Sequence, residues 1–484
     1  MTDLPKAFPE RAEAMARRAG LTFFGETPEV IGRDPIMRFP RPLGEASATA
    51  IGLCGDAAAE IWRRRTGVTQ RPRVEVRRAA AALAGYAFQL LAPGVAAVRA
   101  RDWEAGPDGL RAWGSRSMLR GENAGNPAVG LYRTRDGRWF HVHGGLPHLA
   151  DRIMGVLDTD GPGIRAAVAR WEAEALEDAL AEAGTCGVAV RDAREWLRHP
   201  QGRALRGRPA VEVLRLGNAP PRALPCGDGP LGGLRVLDLS LALAGPVCAR
   251  TLAEHGAEVL RIAAPDRADR QPFEVETGHG KRAAWLDLDQ AADRDRLFEL
   301  ASRADVFSQS YRPGALARRG FGVAEIAARA PGIIYVSIGC YGHEGPWSGR
   351  RGWEGLAQAT TGLTVPRPEG GPPRLAPGSV CDYLTGYLAA RGLMEALLRR
   401  VEEGGTWHVR ASLCQTGMWL AGLGAIDQTE APAEPDLFDD LLVGTGTPYG
   451  HLRHLPPALE LPNTPPLWRR APPLPGQHAP SWGG

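Results

Sequence analysis

Between Leu234 and Ser412, short runs of β-forming residues alternate with helical stretches, and nearly every change is marked by glycine or proline. Strands that alternate with helices restrict such a segment to a parallel sheet with right-handed crossovers, so the fold class expected is α/β with an open parallel sheet. The first strand, Leu234–Ser240, runs through Ala244-Gly-Pro246 into a helix start. A second, Glu258–Ile262, precedes a loop containing Gly278-His-Gly-Lys-Arg282, and a third, Ala284–Leu288, leads into a charged helix from Ala291 to Arg303. Asp305–Phe307 and Ile333–Ile338 complete the series. Ligands of such sheets lie beyond the carboxyl ends of the strands, which directs attention to the loops after Ser240, Ile262, Phe307 and Ile338. A dinucleotide site of the dehydrogenase type is disfavoured, because Ala244-Gly-Pro246 lacks the G-x-G-x-x-G spacing.

Five motifs occur in order: Val236–Pro246, Gly256-Ala-Glu-Val-Leu260, Gly280-Lys-Arg282, Tyr311-Arg-Pro-Gly314 and Tyr341-Gly-His-Glu-Gly-Pro346. Each is weak alone, but their order resembles the family III coenzyme A transferases, which include formyl-CoA transferase, carnitine CoA-transferase and α-methylacyl-CoA racemase. The resemblance implies a Rossmann-like large domain with a smaller α+β domain. It also implies that Asp382, in Gly378-Ser-Val-Cys-Asp-Tyr-Leu-Thr-Gly386, is a covalent nucleophile. Apolar residues at helical spacing from Leu384 to Arg400 place Asp382 at a helix N-terminus, where the macrodipole favours a carboxylate by about 0.3–1 kcal/mol. On spacing alone, an ordinary helix cap is the competing reading.

Carried over position by position, the resemblance assigns CoA contacts to Leu241, Ala242 and Leu243, to Leu286, to Ser310 and Tyr311, and to Arg318 as a phosphate ligand. Arg351-Gly-Trp-Glu354 resembles the transferase branch, which adds Arg351 to the CoA contacts and Glu354 to the catalytic candidates; Glu354 as a plain helix-start acid is the alternative. The racemase branch has histidine where this chain has Trp353, and a racemase needs two acid/base groups. The family's Glu-Arg-Pro signature is here Ala263-Ala-Pro265; Arg261, Arg267 or Lys281 are candidate substitutes, with solvated surface charge the commoner reading of each. Gly339, Gly342 and Gly345 suit a loop of oxyanion-binding amides or simple turns. Cys381 reads as a small buried residue rather than a second nucleophile.

The expected chemistry moves CoA between carboxylic acids through an aspartyl anhydride and an aspartyl-CoA thioester. CoA and acyl-CoA then act as substrates, with no permanently bound cofactor and no metal. The alternatives are an inactive family member serving as acyl-CoA binder or subunit, and an acyl-CoA racemase.

Leu53–Val76 aligns without gaps onto Leu388–Ala411, which reads as a degenerate partial copy in which Ser47 stands at the place of Asp382. The divisions expected are 1–125 for this copy, 126–225 for the small domain, 230–430 for the CoA-binding catalytic domain and 431–484 for a Pro-rich strap. Within the small domain, a strand and glycine turn opening at Asn126 precede helical patterns at Leu149–Leu157, Ile164–Ala183 and Glu195–Leu205. His141, His143 and His148 lack the acidic or cysteine partners of a metal site.

Charge excludes one class of partner: 58 basic against 55 acidic residues leave +3, too little to drive binding to a phosphate backbone. Seven cysteines without paired spacing suit a reducing cytoplasm. No apolar signal core opens the chain, and Ala79–Val98, interrupted by Gln89 and Pro93, reads as a buried helix rather than a membrane span. The resemblance implies a homodimer, interlocked in the family's manner.

Overall fold

The computed structural model describes residues 10–92, 104–105, 111–112, 126–266, 271–367, 370–429 and 438–483. Its centre is a seven-stranded sheet of β1 (Val211–Gly217), β2 (Arg235–Leu239), β3 (Glu258–Ala263), β4 (Lys281–Trp285), β5 (Val306–Gln309), β6 (Ile334–Gly339) and β7 (Thr406–Ser412). The order is β4-β3-β2-β5-β6-β7-β1, parallel throughout except for β1, which pairs antiparallel with β7. Chain order reverses between β2 and β5, so the crevice for a ligand opens at Leu239 and Gln309.

Strand periodicity sorts the core. Val236, Val259, Val306, Ile334 and Val336 face one apolar cluster, whereas Leu237, Leu260, Phe307 and Tyr335 face the other. Both faces are covered, which explains the near-continuous apolar runs in these strands. The third strand is shifted from the expected Ala284–Leu288 to Lys281–Trp285, with helix Gln271–Gly278 occupying part of the expected loop before it, and the last two end at Gln309 and Gly339 rather than Phe307 and Ile338.

On the first face lie α1 (Leu43–Thr66), α2 (Ala244–Glu254) and α5 (Val380–Glu403), with α3 (Ala291–Ser302) on the other face. α5 packs against both α1 and α2. At Gly386 a Cβ would stand 2.7 Å from the Ala244 carbonyl oxygen and 2.7 Å from Cγ1 of Val247, so glycine sets the approach of α5 to α2. Gly386→Val is expected to cost about 1–3 kcal/mol by overpacking, measured by urea unfolding; an unchanged midpoint would contradict this packing.

Residues from the N-terminal half share this core. The Cys54 thiol on α1 donates to the Tyr387 carbonyl on α5 at 3.1 Å. In the register that aligns Leu53 with Leu388, α1 falls on α5 and strand Arg73–Glu75 falls within β7. Ser47 is buried and donates to the Ala79 carbonyl at 2.7 Å. The long helix expected over Ala79–Val98 does not form: Val76–Ala81 is helical, Ala82–Ala87 is a 3-10 turn and Leu90–Leu91 is a strand. Ala84 leaves helical geometry with φ −143°, and residues 93–98 lie outside the described residues. Among the described residues no helix is long and apolar enough to cross a membrane.

The smaller unit is a hairpin of Val129–Arg133 and Trp139–His143, extended by Gly187–Ala189 and backed by helices Pro147–Leu157 and Ala173–Glu182. The strand at Gly187–Ala189 was not expected, being only three residues long. Val211–Gly217, assigned by sequence to this unit, instead forms the antiparallel edge of the large sheet. The C-terminal stretch is a strap with a hairpin of its own, Val443–Thr447 with Gly450–His454. Farther on it covers the other sheet edge, where the His478 amide donates to the Ala283 carbonyl on β4 at 2.8 Å and the Trp482 indole to the Leu300 carbonyl at 3.1 Å.

Candidate functional site

Two places beside the sheet collect the predicted residues. At the β2/β5 crevice the turn Leu241–Leu243 meets the loop after β5, with the Leu241 amide donating to the Ser310 hydroxyl at 3.1 Å. Ala242 sits at φ 61°, a left-handed conformation that costs a non-glycine residue about 1–3 kcal/mol and is characteristic of ligand-holding turns. The Leu243 side chain is buried in the core, so Leu241 and Ala242 are the partly accessible members of this turn.

Beside it opens a cleft of about 230 Å³ lined by Leu239, Ile262, Leu286 and Tyr311, with Ala263–Asp266 and Asp287–Asp289 at its rim. Leu286 and Tyr311 therefore share one cavity. Arg318 is exposed and does not line the cleft; its neighbour Arg319 does, with its guanidinium 2.5 Å from Asp289. Of the three suggested substitutes for the missing signature arginine, Arg261 pairs with Glu274 at 3.3 Å and Arg267 lies outside the described residues. Lys281 is not a surface charge. It is 1% exposed, with Nζ 2.8 Å from Asp238 and 2.8 Å from the Pro246 carbonyl oxygen.

The second place is the start of α5. The helix begins at Val380, four residues before Leu384, which makes Asp382 the third helical residue rather than the cap. Ser379 occupies the cap position, and its side chain makes no capping hydrogen bond. The cap is supplied from elsewhere. Glu354 opens α4 (Glu354–Thr361) and accepts from the Cys381 amide at 3.0 Å and the Asp382 amide at 2.6 Å, while Gln358 donates to it at 2.6 Å. Burial raises the Glu354 carboxyl above the ordinary glutamate value, and these three donors oppose the rise. Glu354 is thus both a helix-start acid and the cap of a second helix. Glu354→Ala is expected to lose about 1–2 kcal/mol, the usual value of a lost cap, in a denaturant melt; a smaller loss would mean water replaces it.

Burial pushes the thiols of Cys340 and Cys381 far above their ordinary range, with the carboxylates of Asp382 and Glu354 adding to the effect. Both shifts favour the neutral thiol over the thiolate that a cysteine nucleophile requires. Arg351 lies within electrostatic reach of Cys186, on the side of the small unit. That unit closes over α4: the His143 ring stacks on Trp353 at 5.5 Å, and the Arg191 amide donates to the Ala359 carbonyl at 2.9 Å. His141 is buried and held neutral, its value lowered to about 4. Among the described residues no group of three or more metal-ligating side chains converges.

The glycine loop after β6 is fixed by a residue that its sequence did not single out. Gln201, fully buried, donates to the Tyr341 and Glu344 carbonyls at 2.7 Å each and accepts from the Trp347 amide at 2.7 Å. Gly342 and Gly345 adopt φ 92° and 88°, the geometry of turns.

Residues 231–440 match the family model described as CoA-transferase family III. The chain is 34% identical over 326 residues to acetyl-coenzyme A transferase nodX of Hypoxylon pulicicidum, an alignment covering 62% of this chain and 55% of that protein. To an acyl-CoA transferase of Gibberella moniliformis it is 29% identical over 421 residues, covering 80% of this chain and 72% of the other. A crystal structure of Rv3272 from Mycobacterium tuberculosis is 30% identical, with a TM-score of 0.38 over 42% of this chain and 57% of that one. The chain therefore spans little more than half the length of the first of these relatives.

Proposed function

We propose that this chain, whose residues 231–440 match the CoA-transferase family III model, transfers CoA between carboxylic acids with Asp382 as nucleophile. The observation that carries the reading is the start of α5, where Glu354 fixes the amides of Cys381 and Asp382 and so aims the Asp382 carboxylate from the first turn of a long helix.

In this scheme an Asp382 oxygen attacks the acyl thioester carbonyl, the C–S bond breaks, and an acyl-aspartyl anhydride and CoA thiolate result. The thiolate attacks the aspartyl carbonyl and expels the donor acid as its carboxylate, leaving an aspartyl-CoA thioester. The acceptor carboxylate then attacks that thioester and repeats both steps in reverse, so neither water nor a redox partner is consumed. Water must be kept out, because it would hydrolyse the anhydride. Closure of the small unit over Trp353 and Glu354 supports that requirement.

The cleft at Leu286 and Tyr311 is the place assigned to the nucleotide end of CoA, with the strained turn at Ala242, fixed by Ser310, following the strand that ends at Leu239. Arg318 is assigned to a CoA phosphate, and Arg351 is assigned as a further CoA contact. Residues 1–125 are assigned as a degenerate partial copy, supported by the shared order of helix and strand in α1 and α5. The assembly proposed is a homodimer in a reducing, cytoplasmic compartment.

The test is chemical trapping. The protein is incubated with acetyl-CoA, succinyl-CoA or octanoyl-CoA, quenched with hydroxylamine and digested. A hydroxamate mass shift confined to the peptide bearing Asp382 is expected, and its absence with every donor overturns the catalytic reading in favour of a non-catalytic acyl-CoA binder.

A further inference from the structure

Glu354 holds the first turn of α5 from one side, and a different part of the chain holds it from the other. The Ser379 amide donates to the Leu83 carbonyl at 3.0 Å, the Ser379 hydroxyl donates to the Tyr86 hydroxyl at 3.3 Å, and the Tyr86 amide donates to the Tyr383 hydroxyl at 3.1 Å. Gly378 enters this contact at φ 74°, and a Cβ there would stand 2.6 Å from the Leu83 oxygen, so the approach is as close as backbone allows. Tyr86 is fully buried, stacked on Tyr383 with ring centres 6.2 Å apart and edge-on to Phe273 at 5.2 Å. The charges of Glu354 and Asp382 both act on its hydroxyl.

We propose that Tyr86, supplied by the 3-10 turn Ala82–Ala87 of the N-terminal half, is a positioning residue for the Asp382 nucleophile, acting through Ser379. The inference rests on the reading of Asp382 as nucleophile. Ser379 is the cap residue immediately before the helix and three positions before Asp382, so its hydrogen bonds fix where the first turn that carries the carboxylate begins. With Ser379 and Tyr383 held by the N-terminal turn and the amides of Cys381 and Asp382 held by Glu354, the residues on either side of the nucleophile are tied down. This gives the N-terminal half a part in the reaction although Ser47 supplies no carboxylate. A nucleophile displaced by an ångström loses on the order of 10²-fold in rate, so a hydroxyl that trims its aim is worth a measurable fraction of that.

Tyr86→Phe removes the hydroxyl and keeps the ring packing. With the donor that labels the wild type, kcat is expected to fall about 10-fold while KM for the acyl-CoA stays within about twofold, as for an interaction made only in the transition state. Ser379→Ala is expected to match it, and the double variant to fall no further, because both remove one hydrogen bond. Wild-type kcat in both single variants, a loss confined to KM or to melting temperature, or multiplying losses in the double variant would each overturn the inference. If no donor labels the wild type, the nucleophile reading fails and the role of Tyr86 falls with it; normal labelling of wild type and Tyr86→Phe at equal rates overturns the role of Tyr86 alone.

Discussion

Asp382→Asn is expected to lower turnover by on the order of 10³-fold or more, the scale on which removal of a covalent nucleophile is felt. The substitution is nearly isosteric, and Asp382 stands at the third helical position with its amide already accepted by Glu354, so the helix start keeps its hydrogen bonds. The stability change should be limited to the lost interaction with the helix dipole, about 0.3–1 kcal/mol. CoA binding should persist, because the cleft at Leu286 and Tyr311 is built from other loops. The decisive measurement is steady-state transfer with the donor that labels the wild type, run beside a thermal melt. Turnover above a tenth of the wild-type rate in a folded variant would remove Asp382 from the mechanism.

Lys281→Met should produce the largest loss of stability, about 3–5 kcal/mol, because it strands a buried carboxylate. Asp238 lies on β2 and Lys281 opens β4, with β3 between them, and both side chains are essentially inaccessible to water. Burial lowers the Lys281 ammonium below its ordinary value and Asp238 opposes that shift. The ammonium also reaches the Pro246 carbonyl at the start of α2, and Ser240 bonds the same carboxylate, so the pair ties two strands, a helix start and the ligand-facing turn together. Replacing both partners, as in Asp238→Asn with Lys281→Met, should cost less than the lysine change alone, since no unpaired charge remains. Urea unfolding decides the matter, and a single-variant loss below about 1 kcal/mol would mean that water reaches the carboxylate.

Lys281 also shows where reading the sequence stops. As one of the chain's rare lysines, in a Gly-Lys-Arg motif, it had a ligand role and a surface role open to it. Nothing within the motif reports that its partner is Asp238, 43 positions away. The same holds for Gln201, whose three hydrogen bonds to the loop after β6 cross at least 140 positions. Val211–Gly217 looked like the end of the small unit because a strand's periodicity says which residues point the same way, not which edge it joins.

What the sequence determined by itself is whatever repeats over a few residues. Near-continuous apolar runs specify strands buried on both faces, glycine and proline mark their ends, and the helical spacing from Leu384 to Arg400 puts Asp382 at a helix N-terminus. The five ordered motifs all lie within residues 231–440, the stretch that matches the CoA-transferase family III model. The tertiary structure alone decided which partner satisfies each buried polar group: Glu354 at the amides of α5, Tyr86 at Ser379, Asp238 at Lys281. Local pattern encodes burial and periodicity, whereas a buried charge, hydroxyl or free amide is satisfied by whatever the folded chain brings within about 3 Å, at any separation in sequence.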